Sequence, residues 1–151
     1  MVDIVIFNTV SAHFYYLFLI ICCGYAIYRG SENEYIGAAI MTVGSLATLA
    51  SARLFGSTFT GLELDILVID LIALYAFIHL AMVSDRFWPL WAAAFHLLAI
   101  AVHTAAIVGP DVTPWAFAVS ITFWAYPMLL ALAIGSHEHV RPAPALKDHS
   151  P

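Results

Sequence analysis

Along the chain, long apolar runs alternate with short clusters of charged and turn-forming residues. A bilayer core of roughly 30 Å takes about 20 mostly apolar residues in helical form. Five runs meet that length: residues 6–28, closed by RGSENE; 35–55, closed by GSTFTG; 62–83, closed by SDRFWP; 88–108, closed by GPDVTP; and 114–134. The pattern predicts an all-α integral membrane bundle of five transmembrane helices, with residues 1–135 as one transmembrane domain. Residues 136–151, SHEHVRPAPALKDHSP, turn polar and proline-rich and read as a short solvated tail.

The connections are short, so successive spans are expected to be antiparallel neighbours in one bundle. The second span is rich in Gly, Ala, Ser and Thr. Small residues let helix backbones approach closely in lipid, which marks this span as the expected centre. Pro127 removes a backbone donor and is expected to bend the fifth span. Lys and Arg in short loops stay on the cytoplasmic side. Arg29, Arg86, Arg141 and Lys147 fall on one side of a five-span arrangement and Arg53 on the other. The expected orientation is therefore N-terminus out and C-terminus in, with the tail cytoplasmic. Phe87, Trp88 and Trp91 are expected in the inner aromatic belt and Trp115 in the outer one.

Composition agrees with a lipid setting. Of 151 residues, 63% are hydrophobic and 10% charged, against about 25% charged in soluble domains. The net charge of -5 includes no basic run of the kind nucleic acid requires. Cys22 and Cys23 are adjacent inside an apolar run, where an unstrained disulfide is hard to form, and read as small core residues. The opening MVDIVIFNTV carries an acid and no base, unlike a secretory signal.

The chemistry of interest lies in the third span, GLELDILVIDLIALYAFIHL, which carries Glu63, Asp65, Asp70 and His79. Folding spans three and four about the turn near Arg86 brings Asp70 to the depth of His103. Asp70 and His103 are therefore expected as a pair. Glu63 and Asp70 are seven apart, as are His96 and His103, and seven residues return to nearly the same helix face. Ala92, His96, Ala99, His103 and Ala106 form a stripe of small residues and imidazoles that reads as an inward face. Asp65 and His79 lie about 140° and about 180° around the helix from Asp70, so neither shares its face.

With the predicted orientation, His13, Arg53, Glu63, Asp65, Asp70, His103 and Ser120 all fall in the outer half. A charge near the bilayer centre costs roughly 2.5 to 3.5 kcal/mol, so the expectation is either pairing, Arg53 with Glu63 or Asp65 and Asp70 with His103, or a protonated Asp70. The leading expectation is a pocket or path lined by Asp70, His103, His13, Glu63 and Arg53 that binds or conducts a proton, ion or small ligand, in a homo-oligomer or with a membrane-complex partner. One alternative is an accessory subunit whose polar network is structural. A second is a haem b electron carrier with His13 and His103 as axial ligands, since bis-histidine ligation needs two imidazoles at matching depth. His137 and His139 in SHEHV lack the ligand number of a metal site. No GxSxG, HExxH, P-loop or CxxC pattern supports an enzyme.

The turn Asp85-Arg86-Phe87-Trp88-Pro89-Leu90-Trp91 and the segment Trp124-Ala125-Tyr126-Pro127-Met128-Leu129-Leu130 resemble parts of a family of small, uncharacterised multi-pass bacterial inner-membrane proteins. That resemblance covers most of the spans but neither the extreme N-terminus nor the tail. It implies a bacterial inner-membrane setting and transfers no activity.

Overall fold

A computed structural model describes residues 2–55, 64–108 and 114–140, with side chains placed for 11–54, 64–105 and 123–138. The elements are α1 (Val2–Arg29), α2 (Glu32–Phe55), α3 (Leu64–Val83), α4 (Trp88–Val108) and α5 (Pro114–Val140). Among the described residues, four helices hold segments long and apolar enough to cross a membrane: Ser11–Arg29, Glu32–Leu54, Leu64–Val83 and Trp88–Ala105.

Local chemistry explains the helix ends. Gly30 closes α1, donating its N–H to Ala26 O at 2.8 Å. Ser31-Glu32-Asn33-Glu34 then supplies one half of a capping box: the Glu34 carboxylate accepts the Ser31 backbone N–H at 2.8 Å, and the Ser31 carbonyl accepts from Tyr35 N. This box starts α2 at Glu32, ahead of the apolar run at residue 35. Pro89, in the first turn of α4, sits where a missing N–H costs nothing.

The helices form a ring in chain order, closed by α1 against α5, with a lighter contact of α2 across to α5. The most extensive packing is between α4 and α5. The expectation that α2 is the centre is not met. Small residues do admit a close neighbour at Gly37, but Gly44 has no neighbouring atom within 4 Å of where a Cβ would stand. At the C-terminal end, α5 continues to Val140, and Gly135 and Ser136 are buried. The polar pattern from Ser136 onward therefore begins inside the helix, because Ser136 satisfies its hydroxyl internally by donating to Leu132 O at 2.8 Å.

The core described by the structure gathers near one pair of turns. It takes Leu19, Cys22, Cys23 and Ala26 of α1, Ala38 and Met41 of α2, Phe77 and Leu80 of α3, Trp88, Ala92 and Ala93 of α4, and Met128, Leu129 and Leu132 of α5. Every one of these lies in the half of the bundle nearer the α1–α2 and α3–α4 turns. Large apolar side chains such as Phe14, Ile20, Val43, Ile72, Leu97 and Phe123 are exposed around the outside. Outward-facing apolar surface of that extent matches a lipid environment.

Candidate functional site

A carboxylate of α3 and two imidazoles of α4 meet beyond this core. α3 and α4 run antiparallel across the short 84–87 turn, which puts Asp70 about 9 Å inside the start of α3 and His103 about 7.5 Å inside the end of α4. His103 Nε2 faces Asp70 Oδ2 at 3.2 Å, and His96 Nε2 lies 3.9 Å from Oδ1. His96 Nε2 is also 2.9 Å from the Asp70 backbone carbonyl. One residue of α3 thus engages two imidazoles set two turns apart on one face of α4.

All three side chains are withdrawn from solvent: 15% exposed for Asp70, 12% for His96 and 5% for His103. Phe77 packs edge-on against His96, ring centres 6.1 Å apart, and closes the site on the side of the apolar core. Chemically, the cluster holds two bases able to take a proton beside a carboxylate able to stabilise the resulting cation. Toward the helix ends lies a second polar contact. Asp65, half-buried in the first turn of α3, accepts a hydrogen bond from Ser51 Oγ of α2.

The pair expected from sequence, Asp70 with His103, is brought together, and His96 joins it. Ser51, rather than Arg53, is the partner of Asp65 among the described residues, and the Arg53 side chain is exposed at the end of α2. A serine hydroxyl reaches the carboxylate from the inner face of α2, while the longer guanidinium extends outward. Glu63 lies outside the described residues. His13 is exposed on α1, whose packing is against α2 and α5, whereas Asp70 and His103 belong to α3 and α4. For haem ligation, His103 is already engaged by Asp70. Among the described residues no group of three or more His, Cys, Asp or Glu is arranged to hold a metal ion.

A second buried carboxylate, which the sequence reading passed over, sits at the opposite end. Glu34 is fully buried and accepts three hydrogen bonds: from Ser31 N–H at 2.8 Å, Ser31 Oγ–H at 2.5 Å and Trp88 Nε1–H at 2.8 Å. The indole of Trp88 fills the space between Gly37 of α2 and Gly135 of α5, where a Cβ at either position would overlap it. Trp88 is consequently a core residue, 5% exposed, and not the interfacial anchor its neighbours Phe87 and Trp91 resemble. Its polar N–H meets a carboxylate in the interior instead of a lipid headgroup. The S-x-x-E spacing was the available signal for Glu34; nothing in the sequence announced Trp88 as its partner.

At that same end, Tyr25 of α1 and His137 of α5 approach at 3.2 Å, hydroxyl to Nδ1. They line an open groove of about 450 Å³ with Ala133, Ile134 and Glu138.

No protein-family model, curated protein or solved structure matches the chain.

Proposed function

We propose that this is a five-span bacterial inner-membrane protein, N-terminus out and C-terminus in, whose Asp70–His96–His103 cluster is an intramembrane proton-binding site. The observation that carries the reading is the single carboxylate of α3 placed between two imidazoles of α4, inside a bundle whose outer surface is apolar. Ionisable groups at membrane depth are expensive and gather where protons or ions are handled. Histidine is the side chain whose charge changes nearest physiological pH. The 27-residue length of α5 and the placement of Arg29, Arg86, Arg141 and Lys147 support the fifth span and the orientation.

The proton reading is tested by acidifying detergent-solubilised protein and following proton uptake with a soluble pH dye. Wild type is expected to take up protons that Asp70→Asn and His103→Gln do not. Identical uptake in all three proteins contradicts the assignment.

A second reading has its own observation. Both imidazoles stand on one helix, so the cluster also clips α3 to α4, as an accessory subunit assembled with a partner would require. On that reading Asp70→Asn leaves proton uptake unchanged and alters which proteins or copies co-purify. The haem alternative, through His13 and His103, is read from the same purified sample: a Soret band that His103→Gln abolishes supports it.

A further inference from the structure

We infer that the groove between α1 and α5 at Tyr25, His137 and Glu138 is a lipid site, taking a phospholipid whose headgroup joins a phosphate to a primary ammonium. The inference rests on the membrane setting of the bundle and is independent of the Asp70 cluster.

The groove holds about 450 Å³ and is walled by Tyr25 of α1 and by Ala133, Ile134, His137 and Glu138 of α5. Helical spacing builds the α5 wall. Ala133 and His137 are four residues apart, as are Ile134 and Glu138, so an apolar pair lies one turn below a polar pair on the same face. The polar pair belongs to the last turn of α5, which ends at Val140, and the apolar pair is about 6 Å deeper. On α1, Tyr25 stands one turn inside Arg29, where the apolar segment Ser11–Arg29 ends. Both walls therefore cross the level at which hydrocarbon gives way to headgroups. Ile134 is 57% exposed, and His137 and Glu138 are exposed above it, so this face is open to lipid from the side. An acyl chain along Ala133 and Ile134 places its own headgroup against the polar pair.

The polar pair selects the headgroup. Tyr25 Oη and His137 Nδ1 are 3.2 Å apart. With the phenol O–H donating to Nδ1, the imidazole carries its proton on Nε2, a donor for a phosphate oxygen. Arg29, four residues beyond Tyr25 and on the same side of α1, is exposed with its guanidinium 5.7 Å from the Tyr28 ring centre, and adds positive charge at the phosphate level. Glu138 brings the opposite charge. A carboxylate repels a headgroup that is only negative, and it forms a charge-assisted hydrogen bond with an N–H that a primary ammonium has and a quaternary one lacks. Phosphate donors beside one carboxylate thus match a headgroup of the ethanolamine type.

The test uses full-length protein, delipidated in detergent and offered equal amounts of phosphatidylethanolamine, phosphatidylcholine and phosphatidylglycerol of one acyl composition. Native mass spectrometry counts the lipid retained by the intact protein. Phosphatidylethanolamine is expected to be retained several-fold over the other two. Glu138→Gln and His137→Ala, both at exposed positions, are each expected to abolish that excess, and Glu138→Lys is expected to turn the preference toward phosphatidylglycerol, a gain that misfolding does not produce. Equal retention of the three lipids by wild type, or a preference for phosphatidylglycerol, overturns the headgroup assignment. An excess of phosphatidylethanolamine that survives any of the three substitutions overturns the groove as its site. A dimer population that falls in Glu138→Gln and His137→Ala while lipid retention stays constant gives the groove to a second copy of the chain and overturns the lipid reading.

Discussion

Asp70 is the residue on which the site turns, because its side chain and backbone carbonyl are the polar partners of two imidazoles. Removing the carboxylate altogether leaves both rings buried without it. Leaving a buried polar group without its partner costs about 1–3 kcal/mol. Asp70→Ala is expected to lose stability on that order in detergent unfolding, whereas Asp70→Asn, which keeps an acceptor oxygen, is expected to lose markedly less. At the opposite end, Trp88→Phe keeps most of the ring volume and removes one of the three donors to Glu34. Leaving that acceptor one bond short is expected to cost about 1–3 kcal/mol, read as a lowered unfolding midpoint. The Asp70–His103 pairing was legible in the sequence because depth and helix face are arithmetic once a turn is fixed at Arg86. The Glu34–Trp88 contact was not, since it depends on how far the α4 start leans over α2, and Trp88 beside Phe87 and Trp91 has the pattern of an interfacial belt.

At the scale of elements, glycine separates positions where helices touch from positions where they do not. A Cβ at Gly37 or Gly135 runs into the Trp88 indole, while at Gly24 or Gly44 it meets nothing within 4 Å. Gly37→Ala and Gly135→Ala are thus expected to lower the unfolding midpoint. Gly24→Ala and Gly44→Ala are expected to leave it unchanged or raise it, since alanine favours a helix by up to about 1 kcal/mol over glycine. A thermal scan of the four variants checks this directly; equal behaviour of the two pairs contradicts the packing of α2 and α5 around Trp88. Helix existence was readable from apolar run length alone, and α4 falls at 88–108 as the run predicts. The ends of α2 and α5 moved because side-chain bonds, at Ser31 and Glu34 and at Ser136, carry a helix past the limit of its apolar pattern. The central role expected of α2 failed for a related reason: small residues permit close approach without choosing which helix approaches.

Across the whole molecule, the described apolar core around Trp88 and Phe77 lies nearer the α1–α2 and α3–α4 turns, and Asp65, Asp70 and His103 lie nearer the other ends of α3 and α4. The proposed orientation puts the α1–α2 and α3–α4 turns toward the cytoplasm, and a reporter fused after Pro151 is expected to score as cytoplasmic; a periplasmic score contradicts that orientation. The central claim is that Asp70, His96 and His103 bind a proton as one unit. Ring-nitrogen resonances of selectively labelled histidine, followed against pH with the full chain in lipid, test it most directly. The claim predicts that the His96 and His103 signals titrate together and that Asp70→Asn shifts both; two rings that titrate independently and do not respond to Asp70→Asn would contradict it.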